Sequence, residues 1–506
     1  MGGSFVKPNK TLNQKLDVPS TENQPLTLQQ LFRALENCAD VQKKTYSFGS
    51  STRSYTVSFI YCEGLADIKQ LNQYVIPLLK ANLEDANSLH DLFHNNLLAL
   101  QPIDAKNRVQ AVETLLFAGH LIIEFKELSA YYSLDIADPP NRAPEESNTE
   151  ISIKGPKDGF TENCAVNIAL IRKRLRTRSL KCESFVIGVR SQTKVSLLYI
   201  EDIANPSMMR DIKQRIEAID TDAIVSGSQL GEALGDSPYS LFPLLDYIGR
   251  PDYAVQSLVR GRFIIIVEGM PSVLIGPANL VLTLKSPEDI HFPYFFVAFQ
   301  RLLRIIGLLI SIYMPGFWIA LIAFNLEQLP FPLLATVTNS RLGLPLSAPM
   351  EMILMLGLFE IFREAGIRLP KAVGQTIAVV GGLIVGDASI RAGLSSPTTL
   401  VVAAVTAVAT FTLVNQSLSG TVSILRLFVL IVSSMLGMYG FFISVMAILV
   451  YLSSLHSFGM PYLSPLSPPI FGDMLKSLLA LPVKIVNRRP IMLQTTDKTR
   501  EGKEPK

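Results

Sequence analysis

VSFIYCEGLAD (57–67) and VSLLYIEDIAN (195–205) share the pattern VSxxYxExxAx, with apolar residues in the same places. Each begins with a strand-like run of aliphatic and aromatic residues and leads into an amphipathic segment, 68–80 in the first copy and 208–219 in the second. The reading is strand then helix, twice. A second pair follows at similar spacing: AGHLIIEF (118–125) and RGRFIIIV (260–267) both carry a Gly into an apolar strand. The first 295 residues therefore read as a duplication. The polar, Pro-containing run ADPPNRAPEESNTE (137–150) separates the copies. Each copy is expected to be a small α/β unit, a mixed sheet covered by helices.

The rest of the chain has a different solvent. Of 506 residues 48% are hydrophobic, and the mean hydropathy is +0.31, high for a wholly soluble protein. A net charge of +3 is too small to argue for a nucleic-acid partner. Cys38, Cys62, Cys164 and Cys182 all precede the hydrophobic half and form no CxxC or zinc-type spacing, as expected of reduced thiols in a cytosolic module. No GxxxxGK[ST], GxGxxG or GxSxG occurs, so no catalytic residue and no cofactor is expected. His90 and His94 have i,i+4 spacing but no third ligand in view, so no metal site is assigned. Glu63 and Glu201 recur at the ends of the repeated strands, where a structural role is expected.

In the second half, 305–324, 392–414 and 427–452 are uncharged apart from the breaks between them and long enough to cross a bilayer core of about 30 Å. The stretch 373–390 is a shorter span, and 352–359, flanked by Glu351 and Glu360, is expected to be re-entrant or interfacial. About four spans are expected: four place both Arg301 and Arg304 and the basic residues Lys476, Lys484, Arg488 and Arg489 on the cytoplasmic side, at the cost of leaving Arg363, Arg368 and Lys371 outside, whereas five, the alternative, put the basic tail outside. The division is then a disordered tail over 1–26, α/β units over 27–149 and 150–295, a transmembrane helical domain over 296–455 and a cytoplasmic tail over 456–506.

Twelve charged residues lie between 302 and 452, five of them in EIFREAGIRLPK: Glu360, Arg363, Glu364, Arg368 and Lys371. With Glu351 these form a membrane charge cluster, in which helical spacing lets Glu360 reach Arg363 and Glu364. A solvated interfacial loop is the competing reading. Further on, Gly374, Ala378, Gly382 and Gly386 repeat every fourth residue, a face for close helix packing. The opposite face carries Thr376, Val380, Ile384, Asp387 and Arg391, with Leu383 at its edge. Polar, apolar, polar order along one face suits a water path with an apolar gate, so Thr376, Val380, Leu383, Ile384 and Asp387 are the pore candidates. A plain packing helix is the alternative.

With KGPKDGF, NIALIRKRL, SPYSLFP, GRPD, GRFIIIVEGMPSVLIGPA, EIFREAGIRLPKAVGQTIAVVGGLIVG, LGMYG and SFGMPYLSP in view, the chain resembles the A subunits of spore germinant receptors, densely from about 150 to 465 and loosely before that. The resemblance implies a multi-pass protein of the spore inner membrane with a cytoplasmic N-terminal half. It also implies a transporter-like B subunit, a lipoprotein C subunit and self-assembly into an oligomeric cation channel that opens on nutrient binding. Asp387 stands where the family usually has Gln, which bears on pore polarity. A solute-transporter component and a non-conducting membrane scaffold are the competing functions; inverted repeats in the membrane half would mark the former, and none is present in the sequence.

Overall fold

The computed structural model describes residues 28–35, 38–50, 53–85, 98–103, 108–128, 130–140, 153–368, 386–482 and 486–500. The first lobe runs α1 (Leu28–Leu35), β1 (Val41–Ser50) and β2 (Arg53–Cys62). Next comes a helix, α2, made of Ile68–Gln70, a π turn at Leu71–Val75 and Ile76–Asp85. The lobe ends with β3 (Gln101–Pro102), α3 (Arg108–Leu116), β4 (Leu121–Phe125) and β5 (Ala130–Leu134). The second lobe runs α4 (Cys164–Arg172), β6 (Leu180–Ile187), β7 (Thr193–Ile200), α5 (Pro206–Glu217), α6 (Gly227–Leu234), β8 (Asp246–Ile248), α7 (Pro251–Val259), β9 (Phe263–Val267) and β10 (Val273–Gly276).

Both sheets have the same order, β1-β2-β4-β5-β3 and β6-β7-β9-β10-β8. The sheets are not mixed: every strand pairing among the described residues is antiparallel. The segments after β2 and β7 detour through helices to an edge strand before returning, so β4 and β9 meet their neighbours head to tail. Strand alternation then fills two apolar layers per lobe. Val57, Phe59 and Tyr61 face α2, while Ile60 and Cys62 face α1 and α3. Val195, Leu197 and Tyr199 face α5 and α6, while Leu198 and Ile200 face α4 and α7.

The repeat also marks the turns. Its last residue is a helix cap in both copies: Asp67 accepts from the amides of Lys69 and Gln70, and Asn205 from that of Ser207. Its Glu closes the strand end through the backbone, Glu63 N–H donating to Asp40 O at 2.7 Å and Glu201 N–H to Ser179 O at 2.8 Å. The glycines of the second pair, Gly119 and Gly261, turn a helix into a strand at φ +100° and +97°, which a side chain would resist. The lobes meet at a buried ion pair, Arg172 Nε to Asp40 Oδ2 at 2.6 Å and Nη2 to Oδ1 at 3.1 Å, with the guanidinium over the Phe117 ring. Cys38, Cys62, Cys164 and Cys182 are buried free thiols.

The second half is helical: α8 (Tyr294–Phe324), α9 (Phe331–Arg341), α10 (Ala348–Arg368), α11 (Pro397–Phe411), α12 (Gln416–Ser454) and α13 (Phe471–Leu478), with a short hairpin of β11 (His456–Ser457) and β12 (Met460–Pro461) between the last two. Two of these, α8 and α12, are long and apolar enough to cross a membrane. The stretch 392–414 yields only the 15 residues of α11, because Ser396 caps its start by accepting from Thr399 N–H. The stretch 352–359 is not separate: it lies inside α10, a helix of 21 residues.

The stretch 427–452 belongs to a longer element with a break. Gly437 has φ +63° and ψ −140° inside α12, packed against Phe324 at the end of α8. Two hydrogen bonds show what the break does. Thr421 Oγ1 donates to Leu241 O, and Leu241 N–H donates to the Tyr451 hydroxyl at 2.9 Å. In a straight helix those two residues would be about 45 Å apart, at 1.5 Å per residue. Instead α12 doubles back at Gly437 into two antiparallel arms, both returning to the second lobe.

Candidate functional site

The second lobe and the doubled helix are joined at several points. Asn415, which caps α12 through Leu418 N–H, donates to Asp246 Oδ1 at 2.6 Å, at the edge strand β8. After α12 the chain turns through Ser457, whose hydroxyl donates to Leu244 O at 2.8 Å. Phe458 follows at φ +50°, an uncommon conformation for a bulky residue. Its side chain is 5% exposed and belongs to the core of the second lobe, edge-to-face on Phe263 at 5.0 Å with the Arg215 guanidinium over its ring at 4.9 Å. A residue anchored to the helical half thus plugs the core of the second lobe. The sequence reading treats SFGMPYLSP only as a family motif. The available signal was a large apolar residue beside Gly459 (φ +76°), in a polar-flanked turn directly after a span.

Inside the helical half the charges converge. Glu360 and Arg363 pair at i,i+3 as the spacing predicts, and Glu360 Oε2 also takes Arg426 Nη2 at 3.0 Å. Arg426 is 6% exposed and donates to Thr410 Oγ1 at 3.1 Å, tying α10, α11 and α12 together. Arg363 donates to Ser419 Oγ at 2.9 Å. Ser419 lies between Asn415 and Thr421, so this cluster is at the end of the bundle nearest the lobes. Arg426 was missed because the sequence reading begins its span at Leu427. Its signal was being the lone charged residue between Arg391 and Asp473.

Glu351 is 0% exposed at the other end of α10. Its Oε2 accepts from the Ser396 amide and hydroxyl, both at 3.0 Å, and Arg341 Nε stands 3.6 Å from Oε1. Glu351 and Glu360 therefore serve separate sites rather than one cluster. Glu364 is exposed, and the side chain of Arg368 lies outside the described residues. So do Gly374, Thr376, Ala378, Val380, Gly382, Leu383 and Ile384, together with His90 and His94. Of the pore and packing candidates the structure describes Gly386, beside Leu400, and Asp387, which pairs with Arg391 at 2.7 Å on an exposed helical turn.

Close approach of α8 to α12 and to the end of α11 explains the glycines of α8. A Cβ at Gly316 would lie 2.7 Å from Val429 Cγ1, and one at Gly307 would strike Thr412. Pro315, beside Gly316, lies in a buried strip with Ser311 of its own helix and Ser433 of the apposed one.

Comparison with known proteins gives these features a family. The model for the Bacillus/Clostridium GerA spore germination protein matches residues 29–492. The chain is 43% identical over 471 residues to Spore germination protein XA of Bacillus anthracis, covering 92% of this chain and 95% of that protein. It is 31% identical to the uncharacterized membrane protein YfkQ of Bacillus subtilis (strain 168), covering 95% and 93%. Among solved structures it is similar to the N-terminal domain of the A subunit of the Bacillus megaterium spore germinant receptor GerK3, at 26% identity and a TM-score of 0.37, over 50% of this chain and 93% of that one. The family match takes in both duplicated lobes and the motif that plugs Phe458 into the second of them, and this protein belongs to the Bacillus/Clostridium GerA family of spore germination proteins.

Proposed function

We propose that this chain is the A subunit of a nutrient germinant receptor of the spore inner membrane. Several copies, together with a transporter-like B subunit and a lipoprotein C subunit, form a germinant-gated cation path that triggers germination. The family match supports the germination role. The observation that carries the gating role is the joint between the second lobe and both arms of α12, through Asp246, Leu241, Leu244 and Phe458. A shift of the lobe moves the arms, and the turn at Gly437, against Phe324, moves with them.

In this reading the soluble units 27–149 and 150–295 lie in the cytoplasm, and the membrane domain spans 296–455. Six passes fit the joints better than four. They are α8, α10, the segment after α10, α11 and the two arms of α12, with α10 running from Glu351 at the remote end to Arg363 beside Ser419 at the lobe end. That keeps Arg363 on the cytoplasmic side with Arg301 and Arg304, as the positive-inside rule asks. The segment carrying the small ladder then lines the path, with Val380, Leu383 and Ile384 as its closed gate and Thr376 and Asp387 as its polar flanks.

The test is ion retention in dormant spores. Leu383→Ala or Leu383→Ser is expected to leak ions or germinate without nutrient, whereas Val401→Ala, at a side chain 61% exposed on α11, is expected to be nearly silent. Ordinary nutrient dependence in stably expressed Leu383→Ser spores removes this segment from the path. Absence of current from the reconstituted complex favours a scaffold.

A further inference from the structure

The turn from α7 into β9 carries Arg260 and Arg262 on either side of Gly261, and Lys285 follows the short helix Leu280–Thr283. Arg262 is 3% exposed; its Nη2 donates to Asn279 Oδ1 at 3.3 Å, and its Nη1 has no hydrogen-bond partner among the described residues. The Tyr253 hydroxyl, on a side chain 2% exposed, is also without one. Arg260 and Lys285 are half-buried and form no ion pair with any described residue. Burial pulls both guanidiniums down to about 10, and burial together with the neighbouring Arg260, Arg301 and Arg262 pulls Lys285 well below the usual lysine range.

The nearby carboxylates are committed elsewhere. Asp289 takes Arg301 and Arg304, each at 2.9 Å; Asp246 accepts from Asn415; Asp252 and Glu288 hold Arg250. The carboxylates nearest the three cations, Asp246 and Asp289, are thus shared with other partners, an arrangement that is costly unless an anion completes it. Two forked guanidiniums and an ammonium suit the tetrahedral oxygens of a phosphate, and a buried phenol adds a neutral donor. On the membrane placement proposed above, the cluster also lies near the membrane surface. Arg301 donates to Ser477 O at the end of α13, and Phe295, Phe296 and Phe299 are exposed where α8 begins, as aromatic residues are at a lipid interface.

We propose that Arg260, Arg262 and Lys285 bind a phosphate-bearing anion at the junction of the second lobe, the first membrane helix and the C-terminal segment. The anion comes either from a lipid headgroup or from free phosphate, and two arms of one experiment separate these sources. The full chain is purified in neutral detergent free of phosphate. Its thermal unfolding is followed with sodium phosphate against sodium chloride at equal ionic strength, and in nanodiscs of phosphatidylcholine alone against nanodiscs containing phosphatidylglycerol.

A saturable rise in melting temperature is expected from one probe. Its midpoint should weaken at least tenfold in Arg262→Gln and in Lys285→Gln and stay unchanged in Arg488→Gln, an exposed arginine outside the cluster. A response to inorganic phosphate assigns the free anion; a response to phosphatidylglycerol alone assigns the headgroup. Should Arg262→Gln fail to fold, Lys285→Gln, at a half-buried position, carries the comparison. No response from the wild type in either arm, or equal midpoints in wild type and Lys285→Gln, overturns the proposal. So does a phosphate response that emerges only in Glu501→Gln/Glu504→Gln, because carboxylates of this chain would then be filling the cluster.

Discussion

The two lobes have one topology and different attachments. The first is held to the second by a polar lock, Asp40 with Arg172, both side chains nearly or wholly buried. The second is held to the helical half by an apolar plug, Phe458 in its own core, and by hydrogen bonds from edge strand β8 and from 241–244. Duplication thus supplied two copies of a fold, and only one became the seat of the arms of α12. The distinction follows from the residues: the first-lobe face that corresponds to the seat of Phe458 is filled by Leu71, Val75, Leu79 and Leu83 of a longer helix.

Four substitutions would break or sharpen this contrast. The largest effect is expected from Asp40→Ala. It strands a guanidinium that burial strongly disfavours without its partner, at a cost of about 3–5 kcal/mol, and Arg172→Met added to it should recover much of the loss. The readout is unfolding of the purified full chain. Wild-type stability from Asp40→Ala would mean that the lock between the lobes is not the interaction holding them.

Next in size is Phe458→Ala, which empties an aromatic site in the second core and should cost ~3 kcal/mol, toward the lower end for such truncations because Arg215 can settle into the space. Limited proteolysis should then cut within the second lobe before the first. Early cleavage of the first lobe instead would contradict the placement of the plug.

Glu360→Ala should cost ~1–3 kcal/mol, since Glu360 is partly accessible but is the carboxylate that Arg363 and Arg426 share. The abundance of the protein in spore membranes reports it. Exchanging Glu360 and Arg363 should not restore abundance, because Arg426 would then face a second arginine. Full rescue by that exchange would show that Arg426 lies outside the network. The smallest effect is expected from Lys43→Ala in the first lobe, whose pair with Glu124 at 3.0 Å is exposed on the lysine side and is worth roughly 0–1 kcal/mol.

Much of the two-lobed half was legible because short-range patterns decide it. The alternation of Val57, Phe59 and Tyr61 and of Val195, Leu197 and Tyr199 fixes two faces per sheet, and the repeat ends on caps whose chemistry is local. Strand direction was not legible, since an apolar run reads the same parallel or antiparallel. In the helical half hydropathy located the apolar stretches but not the reversal at Gly437, because one glycine within a long apolar run leaves the window average unchanged. The i,i+3 pair of Glu360 and Arg363 was readable from spacing alone. Arg426, in contact with Glu360 across 66 positions of sequence, was not.

In the proposed gating, the seat of Phe458 transmits a change from the second lobe to the arms of α12. The direct measurement is nutrient-triggered ion release from spores carrying Phe458→Leu, which keeps the site apolar but loses the edge-to-face contact with Phe263, at protein levels matched to wild type. The account predicts ion release uncoupled from nutrient, either leaking in its absence or failing in its presence. Release with wild-type dependence on nutrient would contradict it.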